Sequence, residues 1–179
     1  LTLDNIEGLI ADAKASGANA VVIEMKSSDG MLYFRSQTEI AKVADATSLS
    51  AIDVRTVTEL LREEGIVPIA LLQAFRDDMA HNHNQDTDMY VKYEPNPTMI
   101  WLDESKDNGG RPWLNPYNQQ AQAYIIDLSK ELLEMGFGHI MLESAQFPDV
   151  LGLEFAVSEN PTGQTKQEAL TSFIADLRG

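Results

Sequence analysis

Two glutamates, Glu24 and Glu143, close short apolar runs, Val21-Val22-Ile23-Glu24-Met25-Lys26 and His139-Ile140-Met141-Leu142-Glu143. Read as strands, these runs send alternate side chains to opposite faces, so Val22, Glu24 and Lys26 share a face, as do His139, Met141 and Glu143. Two carboxylates ending parallel strands and pointing the same way suit acid/base work or glycoside hydrolysis, where one carboxyl stays protonated while the other is ionised. In a chain this acidic, the same placement also arises from acidic residues that merely end strands. Lys26 has two readings: a charge at the mouth of a site, or half of an internal ion pair with Glu24 or a neighbouring strand. A third run, Ile66 to Leu72, is followed by Gln73-Ala74-Phe75-Arg76-Asp77 and brings Gln73 and Arg76 to the same edge.

Aromatic residues gather after that run: Tyr90, Tyr93, Trp101, Trp113 and Tyr117 all lie between residues 74 and 117. Aromatic faces stack on sugar rings, which suits a carbohydrate cleft, but a long excursion also needs a small core of its own. Trp101 is assigned to that core, and Trp113 is left open between core and stacking. His81 and His83 stand two apart, without the helical spacing of a paired metal site, and Asp77-Asp78 and Asp86-Thr87-Asp88 lack calcium-loop spacing. No metal site and no cofactor is therefore expected. His139 begins its strand and so lies at the end opposite the candidate site.

The elements that must carry these residues follow from periodicity. Leu3, Ile6, Leu9, Ile10 and Ala13 repeat as one helix face over residues 3–16, with Thr2 or Asp4 as a cap. Further helices are expected over about 51–64, 118–135 and 166–177, and strands over 21–26, 66–72 and 139–143. Gly17, Gly65 and Gly136 each stop a helix shortly before a strand. The order is αβαβαβα, with long segments at 27–50, 74–117 and 144–165, all after strand C-termini. Short αβ connections and long βα excursions belong to a βα barrel or a doubly wound sheet. No dinucleotide fingerprint or P-loop occurs, so an α/β fold with part of a TIM (β/α)8-like barrel is favoured. A full barrel takes about 250 residues and eight strands; roughly half is present here, in a single partial domain spanning 1–179.

Composition excludes several classes. The chain has 179 residues, with 28 Asp and Glu against 13 Lys and Arg, a net charge of -15. No basic stripe for duplex nucleic acid is available. No apolar run reaches the roughly 18 residues of a spanning helix. Absence of Cys excludes disulfides and thiol nucleophiles. The first residue is Leu1 rather than Met, and the chain reads as an excerpt of a longer protein. If it is instead complete, its open sheet edges predict a homodimer.

Three stretches, taken together, carry a resemblance: Asn19 to Gly30 (NAVVIEMKSSDG), Gly65 to Asp77 with its Phe75-Arg76-Asp77 end, and Trp113 to Asn118 (WLNPYN) leading through Tyr124 to Gly136–Pro148 (GFGHIMLESAQFP). Their order and spacing resemble the bacterial glycoside hydrolase family DUF4015, and the likeness covers most of the chain. It implies a TIM-barrel fold, a carbohydrate ligand and a place outside the cell or at its envelope. Lys26, the acidic Asp29 of the following turn, Trp113, Pro116, Tyr117, Phe147 and Pro148 match the family pattern. Glu24 and Glu143 stand where the family has Asp; Gln146 and Leu71 stand where it has Arg, and Asn115 where it has Asp. Carboxylates are thus kept but moved by about one methylene, and misplacement of about 1 Å can cost two orders of magnitude in rate. Two guanidinium forks are lost.

The expectation from residues and resemblance together is a glycoside hydrolase with Glu143 and Glu24 as the catalytic pair. Lys26, Asp29, Gln73, Arg76, Trp113, Tyr117 and Gln146 would bind the sugar. The alternative is a catalytically inactive carbohydrate-binding or scaffold domain of the same fold.

Overall fold

The computed structural model of the chain describes residues 3–80, 88–149 and 153–178. His81, His83, Asp86, Thr87 and the proposed cap Thr2 lie outside the described residues. In chain order the elements are α1 (Leu3–Ser16), β1 (Ala20–Lys26), α2 (Glu39–Val43), α3 (Val54–Glu63), β2 (Val67–Gln73), β3 (Lys92–Tyr93), β4 (Asn96–Ile100), α4 (Gln119–Glu134), β5 (His139–Glu143), β6 (Ala156–Val157) and α5 (Lys166–Arg178). The expected helices and strands are present within a few residues of their predicted ends.

Local chemistry sets those ends. Asp53 accepts a hydrogen bond from the Thr56 amide and caps α3, so this helix starts at Val54 rather than near Ala51. Asn118 caps α4 in the same way through the Ala121 amide at 2.9 Å. Gly17, Gly65 and Gly136 have φ of 72°, 74° and 106°, left-handed values that turn each helix out toward the next strand at little steric cost.

β1, β2 and β5 form one parallel sheet in the order β1-β2-β5. One face is covered. Ala70 and Leu72 are fully buried there, packed with Ile125, Leu128 and Leu132 of α4 and Phe173 of α5. At the β1 side, Val21 and Ile23 meet Ile6 of α1 and Val57 and Leu61 of α3. The opposite face is open: Val22 is 49% exposed and Met141 42%. This is the face that carries Glu24, Gln73 and Glu143, by the register Val22↔Ile69, Glu24↔Leu71↔Met141 and Gln73↔Glu143.

The long excursions are more structured than expected. Segment 27–50 contains α2, and β3, β4 and β6 build a small antiparallel sheet in the order β4-β3-β6. Trp101, Trp113, Tyr90 and Leu114 from the 74–117 excursion are all buried and join the main core rather than forming a separate one.

Candidate functional site

At the C-terminal rim of the sheet, Gln73 and Glu143 are register partners on adjacent strands. Gln73 Nε2 donates to Glu143 Oε2 at 2.6 Å, and Ser144 Oγ donates to Gln73 Oε1 at 2.8 Å. The chain of donors runs from hydroxyl to amide to carboxylate. With the Gln73 oxygen engaged by Ser144, its NH2 faces Glu143, the arrangement an ionised carboxylate accepts. Ser144 has φ of 51°, an uncommon left-handed value for a residue other than Gly, Asn or Asp, immediately after the carboxylate it supports.

Glu24 lies on the same open face, opposite Leu71 and so two residues deeper than the Gln73–Glu143 pair. It lines a groove of about 330 Å³ with Val22, Ile23, Tyr33, Ser50 and Ile52. Two strand spacings and two residues of rise separate the Glu24 and Glu143 backbones by about 12 Å. Leu71 and Met141 occupy the row beside Glu24, so its immediate neighbours across the sheet are apolar.

Lys26 departs from expectation. A bulge between Glu24 and Lys26 shifts the register, so Lys26 pairs with Leu72 and turns away from the face that carries Glu24. Its side chain is fully buried; Nζ contacts Asp77 Oδ2 at 2.9 Å and donates to the carbonyls of Gln73 at 2.7 Å and Arg76 at 3.2 Å. The ion-pair reading of Lys26 holds, with Asp77 as its partner rather than Glu24. Asp77 Oδ1 also accepts the amides of Met79 and Ala80, both at 2.8 Å. This cluster ties the end of β1 to the turn leaving β2, directly behind Gln73.

Three other predicted residues belong to a neighbouring loop network. Asp103, itself nearly buried, forms an ion pair with Arg76, whose Nε lies 2.9 Å away, and accepts hydrogen bonds from Trp113 Nε1 at 2.9 Å and the Arg111 amide at 2.7 Å. Trp113 is 5% exposed, so its ring is core and offers no stacking face. Asp29 is bound by the Arg111 guanidinium. Tyr117 packs on Phe147, their ring centroids 4.7 Å apart, beside a different cleft from that of Glu24. Gln146 is exposed on the turn after β5.

Sequence reasoning missed Ser144, Asp77 and Asp103 as positioning groups. Asp77 had a signal: a carboxylate a few residues past a strand that needs a partner for a strand-end lysine. Neither Ser144 nor Asp103 carries any pattern of its own. Among the described residues no cluster of His, Asp or Glu forms a candidate metal site, and no helix is long and apolar enough to cross a membrane.

The open face of the parallel sheet carries Glu143 at its C-terminal rim and Glu24 two residues deeper, and comparison with known proteins supplies the family. Residues 2–178 match the family described as "Putative glycosyl hydrolase domain", DUF4015, and the chain belongs to it. No curated protein matches the chain. Among solved structures, a hypothetical protein from Ruminiclostridium thermocellum ATCC 27405 is similar at 24% identity and TM-score 0.81, over 98% of this chain and 85% of that one. A GH31 alpha-xylosidase from a soil metagenome, complexed with xylose, is 14% identical with TM-score 0.64, over 98% of this chain and 25% of its own. An alpha-galactosidase from Thermus thermophilus is 16% identical with TM-score 0.62, over 99% of this chain and 33% of its own. The chain thus shares its fold with glycosidases while spanning a quarter to a third of their length.

Proposed function

We propose that this chain supplies roughly half of a (β/α)8-like barrel and that the assembled protein hydrolyses a glycosidic bond in a polysaccharide. The observation that carries the reading is the Gln73–Glu143 hydrogen bond at the rim of the open face, with the amide turned to donate. Glu143 acts as the ionised group, attacking the anomeric carbon or drawing a proton from the attacking water. Glu24 is the partner carboxyl that protonates the leaving oxygen. Gln73 and Ser144 orient Glu143, and Tyr117 and Gln146 lie further along the rim as sugar contacts. The family membership and the glycosidase-like fold support the chemistry; fold alone would not choose it.

The test uses the full-length protein and a glycan panel with reducing-sugar release. Glu143→Gln lowers turnover by about 10²–10⁴-fold, the scale of a lost acid/base group, with the melting temperature unchanged. Turnover equal to the parent's overturns the assignment.

A second reading has its own support in the apolar neighbours of Glu24. With Leu71 and Met141 beside it and no guanidinium on that row, the site is poorer in orienting donors than a hydrolase needs. That reading is an inactive carbohydrate-binding domain, and glycan binding without turnover in the parent selects it.

A further inference from the structure

A cleft of about 470 Å³ opens just past the β5 rim, lined by Tyr117, Phe147, Pro148, Leu153, Ala156, Ser158, Asn160 and Lys166. None of these is acidic, in a chain that carries 28 Asp and Glu and a net charge of -15. Exposed acidic residues adjoin the lining in sequence, at Asp149, Glu154 and Glu159, but they do not line the cleft.

The polar groups that do line it are mostly donors without partners among the described residues. Lys166 Nζ stands 5.1 Å from the centroid of the Phe147 ring, a cation–π contact, and makes no ion pair among the described residues. The nearest acidic residue on its helix, Glu168, is engaged by the amide and hydroxyl of Thr165. Tyr117 is 8% exposed, and its hydroxyl has no hydrogen-bond partner among the described residues. The Ser158 hydroxyl is likewise without one. Asn160 differs: its amide is held within its own loop by Gly163 and Gln164. Pro148, Leu153 and Ala156 supply an apolar wall.

An ammonium held over a ring, two hydroxyls without partners among the described residues and an apolar wall suit a ligand with one anionic group on a compact ring. We propose that this cleft is a subsite for an acidic sugar unit, its carboxylate taken by Lys166 and the Tyr117 hydroxyl. The inference rests on the carbohydrate reading above and deepens it: the glycan would carry uronic acid residues at a position beyond the bond being cleaved. Lys166 is exposed, so its contribution is modest and screened by salt.

Binding is measured by calorimetry on the full-length Glu143→Gln variant, which removes turnover from the readout. The probes are oligogalacturonate, oligoglucuronate and oligomannuronate, each beside its methyl ester, which keeps the ring and removes the charge. At least one acid binds about tenfold tighter than its ester at low salt, the scale of one charge-assisted hydrogen bond. Adding Lys166→Gln reduces that preference to about twofold or less, and adding Tyr117→Phe reduces it in part. No binding by any acid, equal binding of acid and ester, or a preference that survives Lys166→Gln overturns the proposal. Hydrolysis of a neutral glycan by the parent alongside any of those results leaves the hydrolase reading standing, so the two failures are distinguishable.

Discussion

Glu24 and Lys26 stand two residues apart on one strand, and their surroundings have nothing in common. Lys26 is sealed in the interior with an ion-pair partner and two carbonyls around its ammonium. Glu24 faces an open groove, with Leu71 beside it on the next strand. The same contrast divides Asp77 from Glu143. Asp77 is fully buried and its two oxygens serve Lys26 and two backbone amides, whereas Glu143 is exposed and receives a single side-chain amide. A bulge in β1 does the sorting. Without it, strand alternation would put Lys26 beside Glu24 on the open face, where it would neutralise the carboxylate. Burial demands full satisfaction of a charge and so fixes a structure; exposure leaves a carboxylate free for a ligand or a proton.

The contrast breaks most visibly at Lys26. Lys26→Met leaves the Asp77 carboxylate buried with no cation, and stability falls by about 3–5 kcal/mol. Urea unfolding followed by fluorescence measures it. Adding Asp77→Asn recovers part of the loss, because the amide is neutral and keeps an oxygen for the Met79 and Ala80 amides. A single variant within about 1 kcal/mol of the parent would mean that the pair does not carry the interior side of the comparison.

A smaller effect is expected where the backbone approaches that pair. Gly30 has φ of 87°, and a Cβ there would sit 2.7 Å from Asp77 Cγ and overlap its carboxylate. Gly30→Ala combines a strained backbone with overpacking, at about 2 kcal/mol. The carboxylate must shift to admit the methyl group, so its effect and that of Lys26→Met are non-additive in a double-mutant cycle. Strict additivity would show that Gly30 acts independently of the ion pair.

These two positions also mark how far the sequence could be read. Helix faces, caps and strand runs are local patterns, and α1, α3, α4, α5 and the three parallel strands follow from them. The alignment of Gln73 with Glu143 at one edge follows as well, once three strands feed one parallel sheet. The bulge does not: Met25 and Lys26 carry no glycine and no break in pattern, and the register shift is stabilised by Asp77, some fifty residues away. Two-residue strands such as β3 exist only because β4 and β6 pair with them, so nothing local announces them. Trp113 was ambiguous for the same reason. Whether an aromatic is core or platform depends on Asp103, which the excursion brings to its indole NH.

The comparison of buried with exposed charges is sharpened by Glu168, an exposed carboxylate that nevertheless supports structure. Its oxygen accepts the Thr165 amide at 2.8 Å and the Thr165 hydroxyl at 2.8 Å, while the Thr165 hydroxyl accepts the Glu168 amide at 3.2 Å, a capping box at the start of α5. The amide bond first, and the hydroxyl bond second, hold the Glu168 pKa below its ordinary value. A carboxyl depressed in the folded state stabilises above its unfolded pKa and loses that contribution as pH falls through the folded one. As pH falls below the ordinary glutamate value of 4.5 the cap therefore weakens, and α5 frays from Lys166. Carboxyl chemical shifts on titration should put Glu168 below the free-peptide glutamate, and Thr165→Ala should return it only part of the way because the amide bond remains. Full return would assign the cap to the hydroxyl. No change at all would remove the hydroxyl and leave the Thr165 amide alone to hold the carboxylate, so that a backbone group by itself makes an exposed charge structural.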